Sequence, residues 1–86
     1  MPEVSRFFGI LVTMLYNEHN PPHFHAEYAG VRVQIGISPI VVLRGQVTPR
    51  IRSLLFEWAA IHQTELLENW ERCRNGQKPF HIEGLE

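Results

Sequence analysis

The sequence predicts a small α+β domain, in which an antiparallel sheet of three to four strands precedes a long or broken helix packed on one sheet face. Three observations predict this fold. Residues 23–37 alternate apolar and polar side chains about a two-residue turn, which is typical of a hairpin. Apolar residues between 49 and 75 recur at helical spacing. The chain has 86 residues, enough for one core, so we expect 1–86 to form a single domain.

The first predicted strand is the apolar segment 7–16, which is rich in β-branched and aromatic side chains. Because both of its faces are apolar, we expect a central strand that is covered on both sides. Gly9 within this segment indicates a bulge or a close backbone approach. Residues 17–22, Asn-Glu-His-Asn-Pro-Pro, have the composition of a loop.

The hairpin over 23–37 has a register that follows from a turn at Ala29–Gly30. One face would then be apolar and the other polar. The apolar pairs are Tyr28 with Val31, Ala26 with Val33 and Phe24 with Ile35, and the polar pairs are Glu27 with Arg32, His25 with Gln34 and His23 with Gly36. A slip of one residue would disrupt every pair, so the register is strongly specified. We therefore expect His23, His25 and Glu27 to share the face that is turned away from the core.

The helix follows a short predicted strand at 40–43. Thr48–Pro49 is a helix start signal, and Asn75–Gly76 is a stop signal. A straight helix over 49–75 would be about 40 Å long, whereas a domain of this size is about 30 Å across. The helix therefore either breaks near 61–64 or overhangs the domain and meets a partner. Residues 78–86 either dock as a final strand through Phe80 and Ile82 or fray.

Composition argues against several classes of function. The net charge of −1 argues against a broadly basic surface that coats nucleic acid. Cys73 is the single cysteine and cannot form an intramolecular disulfide, so we expect a reducing cytoplasmic location. It continues the apolar stripe of the predicted helix, so we expect a buried thiol rather than a nucleophile. No segment approaches the roughly 20 apolar residues of a membrane helix, and the first residues lack a signal-peptide pattern.

The segment 19–27 contains three of the five histidines and ends on a carboxylate. Imidazoles ligate metal ions and transfer protons near neutral pH, so this segment is the candidate site. One interpretation is a metal centre. His23 and His25 would project from one side of a strand and His19 would fold in from the loop, together holding a divalent transition metal such as zinc.

Two other interpretations stay open. In a metal-independent ribonuclease, His23 and His25 would act as general acid and base, Glu27 would orient them, and Arg32 would contact the phosphate charge. In a binding module, the histidines would only stabilise a turn, and Trp70 on an overhanging helix would anchor a partner. The residues alone leave open whether the chain is an enzyme.

Four segments, 5–10, 17–25, 57–59 and 66–70, resemble the bacterial domain-of-unknown-function family 4160, and the block His-Asn-Pro-Pro-His-Phe-His at 19–25 is the most specific of the shared motifs. The resemblance covers nearly the whole chain. It brings no established activity, but it implies a small prokaryotic protein often encoded beside a second short protein, of the domain-of-unknown-function family 2442. By resemblance we therefore expect one component of a toxin–antitoxin-like module that binds a small cognate protein or RNA. Separately from the resemblance, we expect that the chain is able to form a homo-oligomer.

Overall fold

The structure is a computed structural model that describes residues 2–86. Five strands form one antiparallel sheet in sequence order, and two helices follow them. The elements are β1 (Glu3–Phe7), β2 (Ile10–Thr13), β3 (His23–Tyr28), β4 (Val31–Gly36), β5 (Val42–Gly45), α1 (Pro49–Ile61) and α2 (Gln63–Arg74). The predicted α+β class is confirmed, but the sheet has one strand more than the three to four predicted.

The additional strand is β1, a segment for which we predicted no strand. The central strand predicted over 7–16 is confirmed in shorter form as β2, which lies between β1 and β3. The chain reverses at Phe8 and Gly9, whose φ angles are 49° and 81°, and Phe7 pairs with Ile10 across the resulting hairpin. Positive φ at both central residues is the geometry of a tight hairpin turn, and glycine supplies it at no steric cost. Phe8 places an apolar side chain where a polar turn residue is usual, so hydrophobicity alone does not mark this turn.

The β3–β4 hairpin has the predicted register in all six pairs. Ala29 and Gly30 form its turn with φ angles of 51° and 81°. On the face that packs against the helices, Phe24 and Ile35 are fully buried. The following strand, β5, lies at 42–45 rather than at the predicted 40–43, and it pairs with β4.

The helical region breaks within 61–64, which is one of the two alternatives that the length argument left open. α1 begins after Thr48, whose Oγ1 accepts a hydrogen bond from the Ile51 N–H at 3.3 Å, and His62 separates α1 from α2. The fully buried Trp58 ring lies 5.6 Å from the Phe24 ring, which places α1 on the core face of the sheet. The molecule measures 33 × 25 × 23 Å, so no helix overhangs it within the described part of the chain.

The C-terminal segment 78–86 docks without forming a strand. The Ile82 N–H donates to the Val4 carbonyl at 2.8 Å, and the Trp58 Nε1–H donates to the Glu83 carbonyl at 2.7 Å. Ile82 is buried, whereas Phe80 is 55% exposed. The segment thus contacts the outer strand β1, while the outer edge of β5 has no strand partner within residues 2–86. Among these residues, neither helix has the length and apolar character required to cross a bilayer.

Candidate metal centre

Glu18, His23 and His25 meet at the beginning of β3, where the preceding loop returns to the sheet. Each offers one possible ligand atom, and these three atoms lie within 4.8 Å of one another. His25 Nε2 is 2.6 Å from Glu18 Oε1, and His23 Nε2 is 3.3 Å from the same oxygen. Two imidazole nitrogens therefore converge on one carboxylate oxygen.

Strand geometry and one loop residue place these groups together. Residues two apart on a strand project to the same side, and the His23 and His25 rings lie 5.1 Å apart. Asn17 adopts a left-handed backbone conformation with φ of 55°, which asparagine tolerates better than most residues. Its backbone N–H donates to the Cys73 carbonyl at 3.4 Å, which ties the loop to the end of α2. Glu18 follows directly and reaches back to the histidines.

His23 is held more tightly than His25. Its Nδ1 lies 2.8 Å from the Pro21 carbonyl oxygen, and because a carbonyl only accepts, Nδ1 carries the hydrogen. The Trp70 ring lies 5.1 Å from the His23 ring, and His23 is only 7% exposed. We expected His23, His25 and Glu27 to lie on the face of the sheet that is turned away from the core. This is confirmed for His25 and Glu27, which are partly exposed, whereas His23 is covered by α2.

The electrostatics of the site favour the ionised carboxylate. Burial raises the pKa of Glu18, but the hydrogen bonds and charges of His25 and His23 outweigh burial and hold this pKa below its ordinary value of 4.5. The carboxylate is therefore charged at neutral pH. A charged carboxylate beside two imidazoles is a donor set that zinc and iron(II) accept.

The structure brings together only part of the predicted site. His19 is exposed and lies outside the group of three, and Glu18 occupies the place expected for it. The sequence contains Glu18 and His19 side by side, and spacing does not distinguish them. The left-handed turn at Asn17, its contact with α2 and the contacts of Glu18 with His23 and His25 hold the carboxylate inward.

Glu27 and Arg32 lie further along the hairpin. Arg32 Nε donates to Glu27 Oε1 at 3.2 Å, so the predicted cross-strand ion pair is present. Glu27 is not one of the three converging groups, and the carboxylate beside the histidines is Glu18 instead.

Trp70 does not occupy the exposed position expected of a partner-binding residue. It is 3% exposed because α2 packs on the sheet instead of overhanging it, and its ring covers His23. Cys73 is buried, as predicted, and burial raises the pKa of its thiol.

A comparison with known protein families gives a match that covers most of the chain. The sequence pattern described as Domain of unknown function (DUF4160) matches residues 9–71. The chain belongs to the DUF4160 family. The DUF4160 match contains Glu18, His23 and His25, so the candidate metal centre lies within the family domain, and the docked segment 78–86 lies beyond it. Comparisons with curated proteins and with solved structures gave no match.

Proposed function

We propose that this DUF4160 protein binds a divalent transition-metal ion through Glu18, His23 and His25. One observation carries the proposal: His23 Nε2 and Glu18 Oε1 face each other at 3.3 Å while His23 Nδ1 is committed to the Pro21 carbonyl. A neutral imidazole has one N–H, so Nε2 of a neutral His23 presents a lone pair. An ionised carboxylate is also an acceptor, and a cation between two facing acceptors would satisfy both of them.

That cation is either a proton on His23 or a metal ion. Metal-ligating histidines commonly donate their other ring N–H to a backbone carbonyl, and the His23–Pro21 hydrogen bond has this form. Ligand atoms about 2.0–2.1 Å from a tetrahedral ion are roughly 3.3 Å from each other, which matches the His23–Glu18 separation. The His25–Glu18 separation of 2.6 Å is that of a hydrogen bond and would widen on metal binding.

Three protein ligands leave coordination positions open. In zinc enzymes that have two histidines and one glutamate, water or substrate occupies the remaining position. Two histidines with one carboxylate also form the ligand set of many iron(II) sites. The proposed function is therefore a metal centre that is able to bind a further ligand, rather than a closed structural site.

The test is the metal content of untagged protein, followed by a zinc titration. We expect one zinc per chain in the wild type and loss of tight binding in Glu18→Gln and His25→Ala, since each removes a ligand. His19→Ala is the matched control, because it removes a neighbouring imidazole that lies outside the site. Equal zinc binding by Glu18→Gln and His19→Ala, or a wild type that binds no zinc, would contradict the proposal.

A metal-independent ribonuclease remains a competing prediction for the same histidines. Its activity would survive a chelator and be lost in His25→Ala, whereas metal-dependent chemistry would be lost in both. The burial of His23 favours metal binding over this alternative, because a general acid or base must reach its substrate.

Binding of a small cognate protein is the second candidate function, and the edge of the sheet supports it. Val42 and Leu43 on β5 are 38% and 40% exposed, and an open, apolar edge strand favours addition of a strand from another chain. The occupant would be an extended segment of the neighbouring gene's product. Val42→Lys should prevent a complex seen by light scattering after co-expression, whereas Val31→Lys, on an inner strand, should not. An unaffected complex would contradict this placement.

A further inference from the structure

A row of polar side chains crosses the open face of the sheet and begins at the candidate metal centre. Thr13 on β2 lies opposite His25 on β3, His25 lies opposite Gln34 on β4, and Gln34 lies opposite Arg44 on β5. Directly opposed residues of antiparallel strands project to the same face. The row therefore joins a proposed metal ligand to an arginine through one amide side chain.

These four side chains line a single depression of about 290 Å³. Strands are about 4.8 Å apart, so the backbones at His25 and Arg44 are about 10 Å apart. His25 and Arg44 line the depression on strands either side of Gln34, and its volume is at the low end of the range for small-molecule sites. The depression thus has room for one compact polar group between the two ends of the row.

Positive charge exceeds negative charge around this depression. Arg32 is paired with Glu27, so these two charges offset each other. Arg44 has no ion pair within the described residues 2–86. With a divalent ion on Glu18 and the two histidines, the site would carry about two net positive charges, one from the metal centre and one from Arg44. A phosphate monoester carries −1.5 to −2 charges at neutral pH, which matches this excess.

We infer that this face binds the phosphate group of a phosphate monoester, with one oxygen on the metal ion and others on Arg44. This inference rests on the proposed metal function. A guanidinium group binds phosphate through two parallel hydrogen bonds. A phosphate monoester has three terminal oxygens, so two can accept from the guanidinium group while the third binds the metal ion. A carboxylate has only two oxygens and cannot do both in this way. The amide of Gln34 lies between them and donates to the bound phosphate. Leu11 and Leu15, which also line the depression, contact the organic part of the ester.

Calorimetric titration of zinc-loaded protein with phenyl phosphate tests this site. We expect saturable binding that requires zinc and that weakens by about ten- to one-hundred-fold in Arg44→Gln, as loss of hydrogen bonds to a charged group implies. Arg52→Gln is the control, because Arg52 is an exposed arginine on α1 outside the depression. Zinc content and the unfolding temperature are measured for both variants, and neither should change because both side chains are exposed.

Two further probes define the ligand. Inorganic phosphate should bind more weakly than phenyl phosphate, because it lacks the group that contacts the leucines. Dimethyl phosphate, a monoanion, should bind more weakly than both. Equal binding of dimethyl phosphate and phenyl phosphate would overturn the assignment to a monoester.

The possible failures are distinguishable. Normal zinc binding with equal phosphate affinity in Arg44→Gln and Arg52→Gln would overturn this inference and leave the metal centre intact. Absence of zinc binding in the wild type would overturn the proposed function and this inference with it.

Discussion

Replacement of Trp70 by alanine distinguishes a core residue from a partner-binding residue. Trp70 is 3% exposed and covers His23, so truncation removes a buried ring and leaves a cavity beside the site. Such changes cost about 3–5 kcal/mol in the free energy of unfolding. A chain of 86 residues has about 4–13 kcal/mol in total, so the loss is a large fraction of it. At about 4–8 °C per kcal/mol, the unfolding temperature should fall by about 12–40 °C.

Thermal and urea unfolding followed by circular dichroism measure this loss. Trp70→Phe should cost less, about 1–2 kcal/mol, because a ring remains and because the Trp70 Nε1–H is buried without an acceptor among residues 2–86. Phe80→Ala is the surface control. Its ring is exposed, and the Arg72 guanidinium carbon lies 3.9 Å from the ring centroid. Such a cation–π interaction at an exposed site is worth about 0.5–1 kcal/mol. An unchanged unfolding temperature in Trp70→Ala would refute the placement of this ring in the core.

Three further predictions concern the site and its surroundings. Zinc at 100 times its dissociation constant should stabilise the wild type by about 2.7 kcal/mol. Differential scanning fluorimetry would detect this as a rise of about 11–22 °C in the unfolding temperature, and the rise should be absent in His25→Ala. Because the pKa of Glu18 is lowered in the folded state, its ionised form stabilises the metal-free fold above pH 4.5, and this contribution is lost as pH falls below 4.5 through the folded pKa. Urea unfolding should show that the difference in unfolding free energy between the wild type and Glu18→Gln shrinks over that range. A difference that stays constant with pH would contradict this prediction. Cys73 should react with a thiol reagent at neutral pH only after unfolding, because burial blocks access and raises the pKa of its thiol; rapid labelling of the native protein would show that α2 opens.

The β3–β4 hairpin could be predicted from sequence because its information is local. A turn at Ala29–Gly30 fixes the pairing, and only one register keeps apolar and polar side chains on separate faces. The helix start at Thr48 also follows from a local signal, whereas domain size left a break near 61–64 and an overhang as alternatives, and the structure shows the break. The β1–β2 hairpin was missed because Phe8 gives an apolar residue to the turn.

The candidate site was predicted only in part. Alternation along a strand is enough to place His23 and His25 on one side, so these two residues follow from the sequence. The choice of Glu18 over His19 depends on the left-handed turn at Asn17 and on its contact with Cys73, which is more than fifty residues away in the chain. No sequence pattern within the loop predicts the contact between Asn17 and Cys73.

The sequence by itself determined the α+β class, the hairpin register and the pair of histidines, because each depends on side-chain periodicity or on neighbouring turn residues. Only the tertiary structure decided that Glu18 lies beside the two histidines, that Trp70 is buried, and that Arg44 shares a depression with His25. These three outcomes depend on which distant segments meet. Packing of α2 against the beginning of β3 and pairing of β5 with β4 bring those segments together, and neither contact was predicted from local sequence.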